Sequence, residues 1–222
     1  MKIAQTAAAT SVHEAIRADI LKGVHAPGSP LRLAPLAEQF DVSMSAIRET
    51  LVRLSEQHLA VLTPNQGFRV VSISREDLLD LTELRLLIEG TALERSVNRG
   101  DLAWEANVVA AHHVLERTHT LRDAGPGSTP EWSRAHEDFH VALISACESS
   151  RLLAMAHNLR GSAEVYLQLS TGSTTRDPAT EHDALLKLAI NRDAQGARSA
   201  LEDHIRLTTE LLLSVPLPDE RD

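Results

Sequence analysis

His136 and His140 stand four residues apart in His136-Glu137-Asp138-Phe139-His140. On a helix that spacing puts the two imidazoles about 40° apart, on one face. Imidazole is the commonest metal ligand, and His182 and His204 follow in two later helical stretches. Four inward-facing imidazoles from three helices of a bundle can enclose one divalent ion. Each of the four also reads as a surface or hydrogen-bonded core histidine. The same five residues spell HExxH, in which two histidines bind zinc and the glutamate acts as general base on a bound water. A zinc-dependent hydrolase with Glu137 as base is therefore the alternative reading. The longer form of that motif needs Gly at 143 and His at 146, where this chain has Leu143 and Ala146. A distant acidic ligand is imaginable at Glu164, but no upstream sheet that would form a substrate cleft is evident.

Other residues carry weaker signals. Arg85 can take a carboxylate bidentately, or pair with Glu89 one turn on. Asp138 lies two residues from His140, about 200° round a helix, and should face away from whatever His140 faces. Cys147 is the single cysteine. It excludes an internal disulfide and a CxxC metal knuckle, and reads as a small buried hydrophobe.

The elements that must position these residues follow from the apolar pattern. Apolar residues make up 43% of 222, enough for a core, and 3% are aromatic, too few for a base-stacking platform. No apolar run approaches the roughly 18 residues of a membrane span, and the N-terminus is too weak for a signal peptide, so the expected location is cytoplasmic. The net charge is −9, but it is uneven: residues 1–74 carry +1 and residues 75–222 carry −10. A neutral head on an acidic body suggests two domains with different partners.

In the head, Ser11-Val12-His13-Glu14 reads as a capping box. It opens a helix through Ile16, Ile20, Leu21 and Val24, ended by Pro27-Gly28-Ser29-Pro30. Leu33–Phe40 and Met44–His58 read as two helices about a turn at 41–43, a helix-turn-helix with the second helix for recognition. Leu59–Thr63 and Phe68–Val71 read as strands about a Pro64–Gly67 turn, making a wing. Ser74 then caps a long helix over Leu78–Asn98, with Leu81, Leu84, Leu87 and Ile88 among its apolar positions. Helices follow at 101–123, 130–147, 150–170, 176–192 and 194–214, with a loop at 124–128 and a polar tail at 215–222. The fold class is mainly α: an N-terminal winged helix-turn-helix (1–73) followed by an all-helical antiparallel bundle (74–214). Ser43, Met44, Ser45 and Arg48 are the candidate DNA contacts at the start of the recognition helix. Arg53 and the wing near Gly67 are candidates for phosphates. Arg48 could instead pair with Glu49 or Glu56.

The order of these parts resembles a GntR-type transcription regulator of the FadR-like branch, with an FCD effector domain. LAEQFDVSMSAIRETLVRL and LTPNQGFRVV are similar to the family's helix-turn-helix and wing. DLLDLTELRLLIEGTAL is similar to the first helix of the effector domain, and HEDFHVALISA and EHDALLKLAINRDAQGARSALEDHI to its metal-bearing helices. The resemblance spans about residues 11–214. It implies a divalent metal, zinc or nickel, held through an Asp or Asn, a His four residues later and two further histidines. Here the later three are His140, His182 and His204, and the first position is His136, so the usual acid is replaced. On this reading Glu137 is a bystander and the chain is not an enzyme. The family's frequent arginine after the Val-Ser of the turn is Met44 here, and another, before the Leu-Ala of the second helix, is Ala34. Arg48 is retained, and Arg32 stands near enough to supply a phosphate contact. The resemblance further implies a homodimer on a pseudo-palindromic double-stranded operator, usually as a repressor. A small carboxylate metabolite would bind at the metal with Arg85 as second anchor.

Overall fold

The computed structural model describes residues 2–119, 129–169 and 178–214. The loop expected at 124–128 and the tail at 215–222 lie outside the described residues. The chain divides into two compact units. The first holds the residues up to Asp77 together with Gly161–Leu169, and the second holds Leu78–Arg160 with the last two helices.

The first unit contains α1 (Lys2–Leu21), β1 (Pro30–Leu31), α2 (Leu33–Gln39), α3 (Met44–Glu56), β2 (Ala60–Thr63) and β3 (Gly67–Val70). Two expectations are corrected at α1. It begins at Lys2, so Ser11 lies inside the helix and opens nothing. The Ala7-Ala8-Ala9 run upstream has the highest helix propensity and carries the helix past that signal. It also ends early, at Leu21. Gly23 takes a left-handed φ of 74°. Its N–H donates to the Ile20 carbonyl and that of Val24 to the Asp19 carbonyl, at 3.0 and 2.9 Å. This is a glycine stop of the Schellman type, and it leaves Val24 outside the helix, 66% exposed.

The antiparallel sheet has the order β1-β3-β2, with Leu31 and Leu62 both opposite Phe68. β1 was not expected; two residues led by a proline give no strand pattern, and proline is tolerated because the strand is an edge. The β2–β3 turn puts Asn65 and Gly67 at positive φ, 63° and 80°. The helix-turn-helix is held by its apolar stripes: Leu36 of α2 and Ile47, Leu51 and Leu54 of α3 are buried with Ile16 and Ile20 of α1.

The second unit is helical throughout its described residues. Its elements are α4 (Arg75–Arg99), α5 (Leu102–His119), α6 (Pro130–Ile144), α7 (Ser150–Leu169), α8 (Ala179–Ile190) and α9 (Ala194–Leu213). α4 starts at the Ser74 cap, whose Oγ accepts from the Asp77 N–H at 3.1 Å. Leu93, Val97, Val108, Phe139, Leu143, Leu185, Leu201 and Ile205 are among the buried residues of one core. Trp104 of α5 ties that core to α6 by donating from Nε1 to the Ala142 carbonyl at 3.0 Å. Leu81 turns inward, but Leu84 and Leu87 are exposed. The last nine residues of α7 belong to the first unit. There the Tyr166 hydroxyl donates to the Asp77 carboxylate and accepts from the Ser74 N–H. A side chain at Gly161 would meet the His58 ring at 2.6 Å, so glycine is the residue that fits.

Candidate functional site

Local sequence sets the helices that carry the histidines. Thr129 caps α6, accepting from the Trp132 N–H at 3.1 Å, with Pro130 in the first turn where its missing N–H costs nothing. Asp193 caps α9, accepting from the Gly196 N–H at 2.9 Å. His182 lies in the first turn of α8. The apolar face of α6, Phe139 and Leu143, is fully buried, and this places His136 and His140 on the inner side.

His136, His140, His182 and His204 converge. One ring nitrogen from each lies within 4.8 Å of those of the other three. Ring centroids are 4.6 Å apart for His136 and His140, and 5.0 Å for both His136–His182 and His182–His204. The four residues are 9%, 2%, 2% and 6% exposed, so none is a surface histidine. His140 Nε2 is buried without a hydrogen-bond partner among the described residues. A buried ring nitrogen facing three other imidazoles is costly unless something accepts its lone pair or its proton. Burial, first of all, holds His136 and His140 well below the ordinary imidazole range, and the neighbouring imidazoles and Arg160 add to it. Neutral imidazoles are the form that binds metal. Donor type, number, burial and protonation state thus all fit one divalent ion of the zinc or nickel class.

Beside the histidines runs a buried ion network. Arg85 Nε donates to Glu89 Oε1 at 2.6 Å, so the i+4 pairing is formed. Arg160 donates from Nη1 to Glu89 at 3.0 Å, and from Nη2 and Nε to Glu137 at 2.8 and 3.0 Å. All three nitrogens of Arg160 are used. The two terminal nitrogens of Arg85 make no hydrogen bond among the described residues, although Arg85 is only 9% exposed. Burial pushes the Glu89 carboxyl up, but the two guanidiniums outweigh it and hold it below its usual value.

From sequence Glu89 is named only as the i+4 partner of Arg85, and Arg160 is not named at all. The available signal was a lone charge in an apolar stretch, Glu89 in Leu86-Leu87-Ile88-Glu89-Gly90, one turn from Arg85. Arg160 gave no comparable signal. Asp138 turns to a groove lined by Asn107, Ala111, Val141 and Ser145, away from the histidines, as its spacing requires. Cys147 is fully buried. The HExxH reading fails locally, because the Glu137 carboxylate is taken up by Arg160 and, among the described residues, no acidic residue, Glu164 included, joins the histidine group.

On the first unit, Ser43, Met44, Ser45, Arg48 and Arg53 are exposed along α3 or at its start, as are Arg32 before α2 and Gly67 in the wing turn. Ser43 does structural work as well, since its Oγ caps α3 by accepting from the Ala46 N–H at 3.2 Å.

Residues 8–70 match the bacterial regulatory proteins of the gntR family, and residues 80–207 match the FCD domain. The chain belongs to the GntR family of transcriptional regulators. The chain is 36% identical to the HTH-type transcriptional regulator BphR of Paraburkholderia xenovorans, over 86% of this regulator and 79% of that protein. It is 28% identical to the HTH-type transcriptional repressor GlaR of Escherichia coli, over 86% and 89% of the two chains. Among solved structures, E. coli McbR/YncC superposes with a TM-score of 0.69 at 19% identity, over 93% of this chain and 97% of that one, and shares the fold. The regulator is a DNA-binding winged helix-turn-helix protein with an FCD domain, and it is not an enzyme. The hydrolase alternative is thereby overturned. No helix among the described residues is long and apolar enough to cross a membrane.

Proposed function

We propose that the chain is a cytoplasmic, homodimeric repressor whose operator affinity is set by a small organic acid bound at a metal in the FCD domain. The observation that carries this reading is the convergence of four buried imidazoles beside a guanidinium with free donors. His136, His140, His182 and His204 would hold zinc or nickel. Bound there, the metal supplies a Lewis-acid anchor for a carboxylate. Arg85 is fixed by Glu89 through Nε, which leaves its terminal nitrogens to receive a carboxylate oxygen. Arg160 bonds both Glu89 and Glu137 and orders the wall of the pocket.

Residues 1–73 serve as the DNA-binding domain and 74–214 as the effector and dimerisation domain. Two heads of a dimer present two recognition helices to the half-sites of a pseudo-palindrome. Met44, Ser45 and Arg48 reach base edges, and Ser43, Arg32, Arg53 and the wing at Gly67 reach phosphates. The exposed Leu84 and Leu87, three residues apart on α4, are apolar side chains available to a second copy. Purified protein should carry about one zinc or nickel per chain, and His140→Ala should lose it with little change in helical content. Full metal occupancy in His140→Ala, read by elemental mass spectrometry, would sink the assignment. A metal that changes operator affinity without any organic acid would make the protein a metal sensor instead.

A further inference from the structure

Glu181 sits in the first turn of α8, next to His182, but its carboxylate goes to a different histidine. Its Oε2 lies 2.8 Å from Nδ1 of His204 on α9. The two side chains are 22% and 7% exposed, so water competes little for the contact. The Glu181 carboxylate is not among the atoms that converge with the other imidazoles. It therefore stands outside the ligand group and bonds to His204 within it. An imidazole has its two nitrogens on opposite edges of the ring, and the one bonded to a carboxylate carries the proton. Nδ1–H toward Glu181 leaves Nε2 of His204 as the lone-pair nitrogen.

We propose that Glu181 is a positioning residue of the metal centre, fixing the tautomer and direction of His204 so that Nε2 faces the other three imidazoles. This rests on the metal reading above. It also answers a question raised by His136. A ligand set without an acid has no negative charge of its own, and Glu181 returns one negative charge through His204, raising that ring's basicity. In sequence the residue is indistinguishable from a first-turn acid placed for the helix dipole.

The test uses the full-length protein. Zinc affinity is measured by competition with a chromophoric chelator, and cobalt(II) is titrated for its visible absorption. Glu181→Ala should weaken zinc binding by about 10–100-fold, the usual effect of removing such a partner, and alter the cobalt bands. Glu181→Gln keeps an oxygen that accepts the Nδ1 proton but lacks the charge. It should restore the cobalt bands and bind zinc with intermediate affinity. Wild-type zinc affinity and cobalt bands in Glu181→Ala would overturn the proposal. His204→Ala separates the two levels. If it binds zinc like wild type, the metal reading itself fails; if it loses zinc while Glu181→Ala does not, only the role of Glu181 fails.

Discussion

Two guanidiniums, those of Arg85 and Arg160, bond one buried carboxylate, that of Glu89. Its side chain is 1% exposed, with Arg85 and Arg160 bonded to separate oxygens. Removing one partner of a buried pair leaves charge without compensation, at a cost of about 3–5 kcal/mol. Arg160→Met should fall near the low end, roughly 3 kcal/mol, because Arg85 remains. The same network sets a pH dependence. The folded pKa of Glu89 lies below the usual 4.5, so the unfolded chain binds more protons in that window. The stabilisation is present above pH 4.5 and is lost as pH falls through the lower folded value. Urea titrations from pH 7 to pH 3 should show stability falling below pH 4.5, with a shallower fall in Arg160→Met. An unchanged acid limb in that variant would count against the network as the cause. Pairwise spacing made His136–His140 and Arg85–Glu89 legible from sequence. Arg160 and Glu181 were not legible, because their partners lie 71 and 23 residues away and only packing brings them together.

Elements were most legible where a long apolar stripe agreed with a cap. α3 is one such case, with Ser43 at its start and Ile47, Leu51 and Leu54 inward. The errors lay where two local signals competed. The Ser11–Glu14 box is a valid helix start, but an alanine-rich run already helical overrides it. The Pro-Gly-Ser-Pro run is the stronger stop signal in sequence, yet a single left-handed glycine, the nearer Gly23, ends the helix first. β1 exists because β3 has a free edge, a fact about the sheet and not about Pro30 and Leu31. The division of labour within α3 gives a clean prediction. Arg48 is exposed, about 100° round the helix from Ile47 in the buried stripe, so Arg48→Ala should abolish specific operator binding and leave the circular dichroism melt unchanged. An unaltered footprint would remove α3 from the major groove.

At the scale of the whole molecule, the question is how a small ligand in one unit changes the affinity of another. A ligand shifts such an equilibrium only by the difference in its affinity for the two states. Binding to the folded form should first appear as stability. An organic acid that binds the metal-loaded protein at 100 times its Kd should add about 2.7 kcal/mol. In a thermal-shift screen the rise should vanish with chelator. A rise that survives chelation would place the acid in a metal-free pocket around Arg85. The chain also carries its own light source for such work. Of its two tryptophans, Trp132 stacks on His136 at 4.8 Å between centroids, 14° from parallel, while Trp104 lies under Arg192. The indole and the first histidine of the cluster share one face. An open-shell ion such as nickel held there would draw off the excited state of Trp132, and closed-shell zinc would not, so the brightness of an intrinsic emission, read without any label, would tell which kind of ion the ring has met.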